Sequence, residues 1–242
     1  MMKASNFEFA NRWWIFGLIF GVSFFLFSVD HQPVGVRIAN ALAHRFHYHE
    51  LFSFHLIFGI GAAILVLSAL VRTWGSSYLG RDVVHDHALH SDRLQADGPY
   101  RHTRNPLYLG NVLMAFGMAV MAPIIGVPII LIGIPLFCYR LIAREEAALE
   151  ATQGEPYRAY MRSVPRLWPS LRPRIPAGNA RPDLLNGLAA EAFFWSFALG
   201  LLAFAISLDV RFFYAGFLAS PLLSWLAALA IRGRNKRTAA AG

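Results

Sequence analysis

Long uncharged stretches alternate with shorter charged ones along this chain. Trp13–Val29, Leu51–Val71, Ala192–Leu208 and Phe212–Ile231 each approach or reach the ~20 residues that cross a hydrocarbon core as a helix. Leu107–Tyr139 is a longer uncharged run of 33 residues. As one helix it would extend roughly 50 Å, against a hydrocarbon core of about 30 Å, so it must fold back. Pro123, Gly126 and Pro128 supply the break, which predicts two helices joined by a tight hairpin near residues 122–128. The expected architecture is an all-α membrane fold with six transmembrane helices. Between the first two spans, the apolar positions of Val34–Phe46 fall near helical spacing and predict a short interfacial helix.

Composition agrees with a bilayer as solvent, since 56% of the residues are apolar and 15% are charged. With the N-terminus inside, 19 of the 22 Lys and Arg residues fall on the cytoplasmic side, leaving Arg37, Arg45 and Arg211 outside. That asymmetry predicts cytoplasmic termini and a multi-pass integral membrane protein. The net charge of +8 is then an orientation signal with membrane lipids as its partners, and nucleic-acid binding, which needs a soluble basic face, is set aside. The start at Trp13 and Trp14 lacks a small-residue cleavage pattern and reads as a retained span. A lone Cys138 excludes an internal disulfide and a four-cysteine metal site. His85, His87 and His90 with Asp86, and His44, His47 and His49, match no helical zinc spacing, so no metal is expected. Nothing in the sequence speaks to oligomeric state.

Three parts follow: two N-terminal spans with their outer loop (1–71), a central part carrying both long cytoplasmic segments (72–170), and two C-terminal spans with a basic tail (171–242). In the central part, Gly98-Pro99 forces a turn. Asn105 and Pro106 then read as N-cap and first residue of the third span, whose unpaired N–H groups and positive dipole end suit a carboxylate. The fourth span ends in Arg140-Leu141-Ile142-Ala143-Arg144-Glu145-Glu146. If it continues as a helix, Leu141, Glu145 and Leu149 share one face, with Arg140 and Arg144 on an adjacent one. A short outer hairpin makes the third and fourth spans antiparallel neighbours, so the acidic pair must lie near the Asn105 helix start. An anion seat beside a cation seat, at the cytoplasmic ends of these spans, suits a zwitterionic cofactor.

The run Gly98-Pro99-Tyr100 to Arg104-Asn105-Pro106-Leu107-Tyr108-Leu109-Gly110, the pair Glu145-Glu146, and then Gly154-Glu155-Pro156-Tyr157, Tyr160 and Val164-Pro165-Arg166 resemble, in order and spacing, the isoprenylcysteine carboxyl methyltransferases and their phospholipid methyltransferase relatives. The resemblance covers about residues 72–170. It implies an S-adenosyl-L-methionine site on the inner side of the membrane, with a lipidic or small apolar acceptor arriving from the bilayer. By motif position, Leu94, Gln95, Tyr100, Asn105, Pro106, Leu107, Tyr108 and Glu145 are implied cofactor contacts. Two features depart from the family pattern: Asn105 stands where the family usually has His, and some 70 residues with two spans follow the point where the pattern normally ends.

Methyl transfer from a sulfonium is an in-line displacement in which the protein chiefly supplies proximity, alignment and a dry site. Arg140 and Arg144 are the candidates for orienting the acceptor. An anionic acceptor needs no base; for an amine or thiol, Glu146 and His85 are the candidates. Two rival readings stand beside this one. A membrane NADPH-dependent sterol-type reductase has a similar Arg, Pro, Tyr, Gly core, and a non-enzymatic membrane scaffold could be built on the same helices.

Overall fold

Helices form where the apolar runs lie, and their ends follow the local breakers. The structure, a computed structural model, describes residues 3–79 and 96–240. Helix α1 (Asn6–Ala10) is a short turn started by a capping box, in which the Ser5 hydroxyl accepts from the Glu8 amide and the Glu8 carboxylate accepts from the Ser5 amide. Helix α2 (Arg12–Phe25) runs into a 3-10 turn at Leu26–Ser28. Helix α3 (Val34–Phe46) occupies the segment expected for the interfacial helix. Helix α4 (Glu50–Tyr78) is followed, beyond the undescribed stretch, by a 3-10 turn at Gly98–Arg101. Helices α5 (Pro106–Ala119) and α6 (Val127–Gln153) form the expected hairpin around Pro123, Gly126 and Pro128. Helices α7 (Glu155–Ser163), α8 (Leu184–Ala190), α9 (Ala192–Ser207) and α10 (Val210–Ala240) complete the chain. There are no strands among the described residues.

Three helices have the length and apolarity of a membrane span: α4, α6 and the Val210–Ile231 part of α10. Helices α8 and α9 bend by 71° at their junction and together could make a fourth. The apolar segments Arg12–Ser28 and Pro106–Ala119 are shorter. Fourteen residues of α5 reach only about 21 Å, because the preceding turn and the following hairpin end the helix on both sides.

Two sets of contacts fix the packing. At the hairpin end, the Val34 and Gly35 amides donate to the Ala122 and Val120 carbonyls at 2.8 and 2.9 Å, and Asp30 accepts from the Ile124 amide at 2.8 Å. These bonds hold the start of α3 against the α5–α6 turn. At the opposite end of α4, the C-terminal part docks through the Asp183 amide on the Ser77 carbonyl (2.8 Å) and Trp195 Nε1 on the Thr73 hydroxyl (2.9 Å). Phe58, Leu65, Met114, Met118, Phe197 and Leu201 fill the core between α4, α5 and α9.

Candidate active site at the start of α5

The chain approaches α5 through a strained entry. Gly98 has φ +56, and a Cβ there would also collide with the Tyr78 ring, so the position requires glycine twice over. The turn buries Tyr100, whose carbonyl accepts from the Tyr160 hydroxyl at 2.7 Å. Burial, reinforced by Tyr160 beside it, holds the Tyr100 phenol well above its ordinary pKa, so it stays a neutral side chain. Burial raises the Tyr157 and Tyr160 phenols in the same way.

Residues 101–105 are clamped along the 164–175 segment. The Arg104 amide donates to the Pro165 carbonyl at 2.9 Å, the Thr103 hydroxyl to Leu167 at 2.9 Å, and the Arg174 amide to the Arg101 carbonyl at 2.9 Å. Glu146 ties this clamp to α6. One of its oxygens takes Arg104 Nε (2.8 Å) and Asn105 Nδ2 (3.3 Å); the other takes Arg166 Nε (2.9 Å) and Nη2 (2.8 Å). Asn105 sits at the N-cap position and Pro106 opens the helix, as the sequence suggests. The Asn105 side chain makes no capping bond, however. Its amide is drawn instead to Glu146 and to the Arg166 carbonyl, at 2.9 Å, because an ionised acceptor outcompetes a neutral backbone cap.

Glu145, the next residue on α6, faces a different neighbour. It accepts a 2.6 Å hydrogen bond from the Tyr108 hydroxyl, one turn into α5. Tyr108 and Glu145, 37 residues apart in sequence, are thereby brought together as the helical-face argument requires. Arg12 and Arg144 are the cations whose charge reaches this carboxylate. Arg12 is an addition from the N-terminal segment that the motif does not contain.

Arg140 and Arg144 lie on the adjacent face of α6 and turn toward the N-terminus, away from the Glu146 clamp. Arg140 Nη2 donates to Glu8 at 2.7 Å, and Arg144 Nη1 donates to the Ala4 carbonyl at 3.2 Å. Leu94 and Gln95, like His85, His87 and His90, lie outside the described residues. Among the described residues, no three His, Cys, Asp or Glu side chains gather as a metal site.

Sequence reasoning missed the most deeply buried polar cluster. Arg72 of α4 donates to Glu191, at the α8–α9 junction, through Nε (2.5 Å) and Nη2 (3.1 Å). Its Nη1 reaches the Leu107 carbonyl and Asn111 Oδ1, both at 2.9 Å, and Ser76 also donates to Glu191. The guanidinium lies 3.9 Å from the centroid of the Phe194 ring. Gly110 of the motif is explained here, since a Cβ at that position would meet the Arg72 stem, 2.7 Å from Cδ. The one signal in the sequence was a lone acid between two apolar helices, a placement that calls for a buried cation.

Asn111 also lines an apolar cleft of about 1210 Å³ between α2, α5, α9 and α10. Phe16 and Phe20, Met114 and Met118, Phe194 and Phe197, and Phe213 and Phe217 are among the residues lining it. The unbranched thioethers on α5 make one side adaptable in shape.

Residues 56–155 match the family model described as Phospholipid methyltransferase. No curated protein and no solved structure matches the chain. The matched segment begins inside α4, takes in Arg72, the Asn105–Gly110 helix start and Glu145-Glu146, and stops at Glu155. It therefore begins upstream of the 72–170 resemblance and stops short of its end, leaving α7 beyond Glu155, with Tyr157, Tyr160 and Val164-Pro165-Arg166, as well as α8, α9 and α10, outside. Through this segment the chain is similar to the phospholipid methyltransferases, a family within the isoprenylcysteine carboxyl methyltransferase and phospholipid methyltransferase superfamily of membrane methyltransferases.

Proposed function

We propose that the protein transfers a methyl group from S-adenosylmethionine to a lipidic or small apolar acceptor, at the cytoplasmic ends of α5 and α6. The observation carrying this reading is the 2.6 Å Tyr108–Glu145 hydrogen bond, which joins the two motif elements within the family-matched segment. Methyltransferases of this family generally use S-adenosylmethionine, which when bound supplies an activated methyl group on a positively charged sulfur.

The residues present fit that cofactor. The first turn of α5 offers the Leu107 and Tyr108 backbone N–H groups and a positive dipole end to a carboxylate, with Pro106, which has no N–H, setting the helix start. Glu145 offers a carboxylate to an ammonium group, with Tyr108 holding it in place. Asn105, tied to Glu146 and Arg166, and Arg72, bonded to the Leu107 carbonyl, fix that turn from both sides. Tyr100 contributes a neutral, buried wall. Leu94 and Gln95 remain assigned to the cofactor by motif position alone.

Glu146 is engaged by Arg104, Asn105 and Arg166 on its two oxygens, so we assign it to anchoring the helix start. A carboxylate or thiolate acceptor then needs orientation and no base, and Arg140 and Arg144 are the cations for it. An apolar chain would lie in the cleft lined by Met114, Met118 and the α2 and α9 phenylalanines, where each buried methylene contributes about 0.8 kcal/mol. Lateral entry from the inner leaflet follows. The same reading has six spans with both termini cytoplasmic, α2 and α5 crossing as short helices and α8–α9 as a bent one.

Three measurements test it. Titration calorimetry should show S-adenosylmethionine binding to the wild type; no binding to folded protein would remove the proposal. In acceptor competition, rates should climb with chain length at a fixed polar head, and a short soluble thiol outperforming every lipidic analogue would overturn lateral entry. Cysteines introduced near His47 and near Gln95 should label from opposite sides of the membrane; labelling from one side would reject the six-span arrangement.

A further inference from the structure

The N-terminal segment sets a carboxylate where an acceptor's anionic group would be held. Glu8 Oε2 takes one hydrogen bond from Arg140 Nη2, at 2.7 Å. The Ala4 amide donates to the Arg140 carbonyl at 3.0 Å, and the Ala4 carbonyl accepts from Arg144 Nη1 at 3.2 Å. Phe9 packs under the Arg144 guanidinium, 5.0 Å from its ring centroid, and joins Phe137 and Leu141 in a small apolar cluster. The segment from Ala4 to Phe9 thus covers both arginines.

The cover uses little of what the arginines offer. A guanidinium holds a carboxylate or phosphate best through two parallel bonds, and Glu8 makes one. Nε of Arg140 and Nε of Arg144 are both buried without a hydrogen-bond partner. Buried unsatisfied donors are costly and are seldom kept without use. The latch itself is weak. The Glu8 and Arg140 side chains are 24% and 28% exposed, a setting in which an ion pair contributes little. Helix α1, at five residues, is too short to stand without its contacts.

We propose that Arg140 and Arg144 form a seat for a carboxylate or phosphate group, and that Glu8 is its internal occupant, displaced with α1 when the anionic end of an acceptor arrives. The inference rests on the reading of these arginines as acceptor-orienting residues. Glu8 then acts as a specificity element: an anion that pairs with Arg140 by two bonds outcompetes the single-bond occupant, whereas a neutral head leaves the cover closed.

The test separates charge from helix formation. Gln serves as well as Glu at the third position of a capping box, so Glu8→Gln keeps the start of α1 and removes the anion from Arg140. Hydrogen exchange of residues 3–12 is followed on the full chain in nanodiscs, without any methyl donor, so the outcome does not depend on catalysis. The three conditions are phosphatidylcholine alone, phosphatidylcholine with phosphatidylglycerol, and phosphatidylcholine with added inorganic phosphate. In phosphatidylcholine alone, Glu8→Gln should exchange about fivefold faster than wild type. Phosphatidylglycerol should speed wild-type exchange by a similar factor and should do nothing in Arg140→Gln. Acceleration by inorganic phosphate as well would mark a seat open to free anions; acceleration by the lipid alone would mark one reached from the bilayer. Wild-type exchange that is equal in all three conditions, or a Glu8→Gln profile identical to wild type, would overturn the proposal.

Discussion

Two buried glutamates tie the start of α5 to the rest of the molecule, and their arginine partners differ in exposure. Glu146 is shared by Arg104 and Arg166, and Arg166 remains 39% exposed. Glu191 is matched by Arg72 alone, the pair is neutral, and the two side chains are 1% and 2% exposed. The first cluster joins segments next to the candidate helix start and reaches solvent through Arg166. The second locks α4, α5 and the α8–α9 junction together. A charge pair that reaches solvent can be rehydrated when one member is lost, whereas a fully buried pair is committed to the fold.

The largest effect should come from breaking the neutral pair on one side. Glu191→Ala leaves the Arg72 guanidinium buried without its carboxylate and should cost about 3–5 kcal/mol, read as a fall in the unfolding midpoint in detergent. Arg72→Met combined with Glu191→Leu removes both charges and should recover most of that loss. A double variant as unstable as the single ones would mean that the pair contributes net attraction and is more than matched burial.

Glu146→Ala should cost less, about 1–3 kcal/mol, because Arg166 can turn to water while Arg104, at 8% exposure, keeps its bonds to the Met161 and Val164 carbonyls. Asn105 would lose one of its two acceptors, so cofactor affinity should fall with stability. Glu145→Ala reverses the emphasis. It removes a charge-assisted contact worth about 1.5–3 kcal/mol, and calorimetry should show S-adenosylmethionine affinity reduced roughly tenfold or more on a protein that melts near the wild type. Unchanged affinity in folded Glu145→Ala would reject its cofactor role.

What could be read from the sequence follows the range of the interactions concerned. The bounds of α3 came from local apolar spacing, and the α5–α6 hairpin came from Pro123, Gly126 and Pro128 within an overlong run. Tyr108 and Glu145 met because a short hairpin forces antiparallel neighbours and one helical face fixes which residue points across. Arg72 and Glu191 are separated by 119 residues, and no periodicity links them. The direction of Arg140 and Arg144 was legible as a face distinct from that of Glu145, but their partners Glu8 and Ala4 lie more than 130 residues away. At Asn105 the position was right and the bond was not, because a local capping preference yielded to an ionised acceptor from another helix.

The smallest effect should appear beside the uncharged end of the Glu191 cluster. Arg72 Nη1 donates to Asn111 Oδ1, and the buried Cys138 of α6 belongs to the neighbouring apolar cluster that also holds Leu109, Val112 and Ile134. If tight packing around the pair set the cost of damage, Cys138→Ala would be nearly as harmful as Glu191→Ala. If unpaired charge sets it, the variant loses only one sulfur atom from a packed site. Asn111 keeps its contact with Arg72, and every formal charge keeps its partner. The expected cost is therefore about 1 kcal/mol, with cofactor affinity unchanged, measured by the same thermal unfolding and calorimetry. A loss approaching that of Glu191→Ala would show that the cluster and its apolar surroundings behave as one cooperative unit, and the contrast drawn between the two glutamates would then lie in their packing and not in the exposure of their partners.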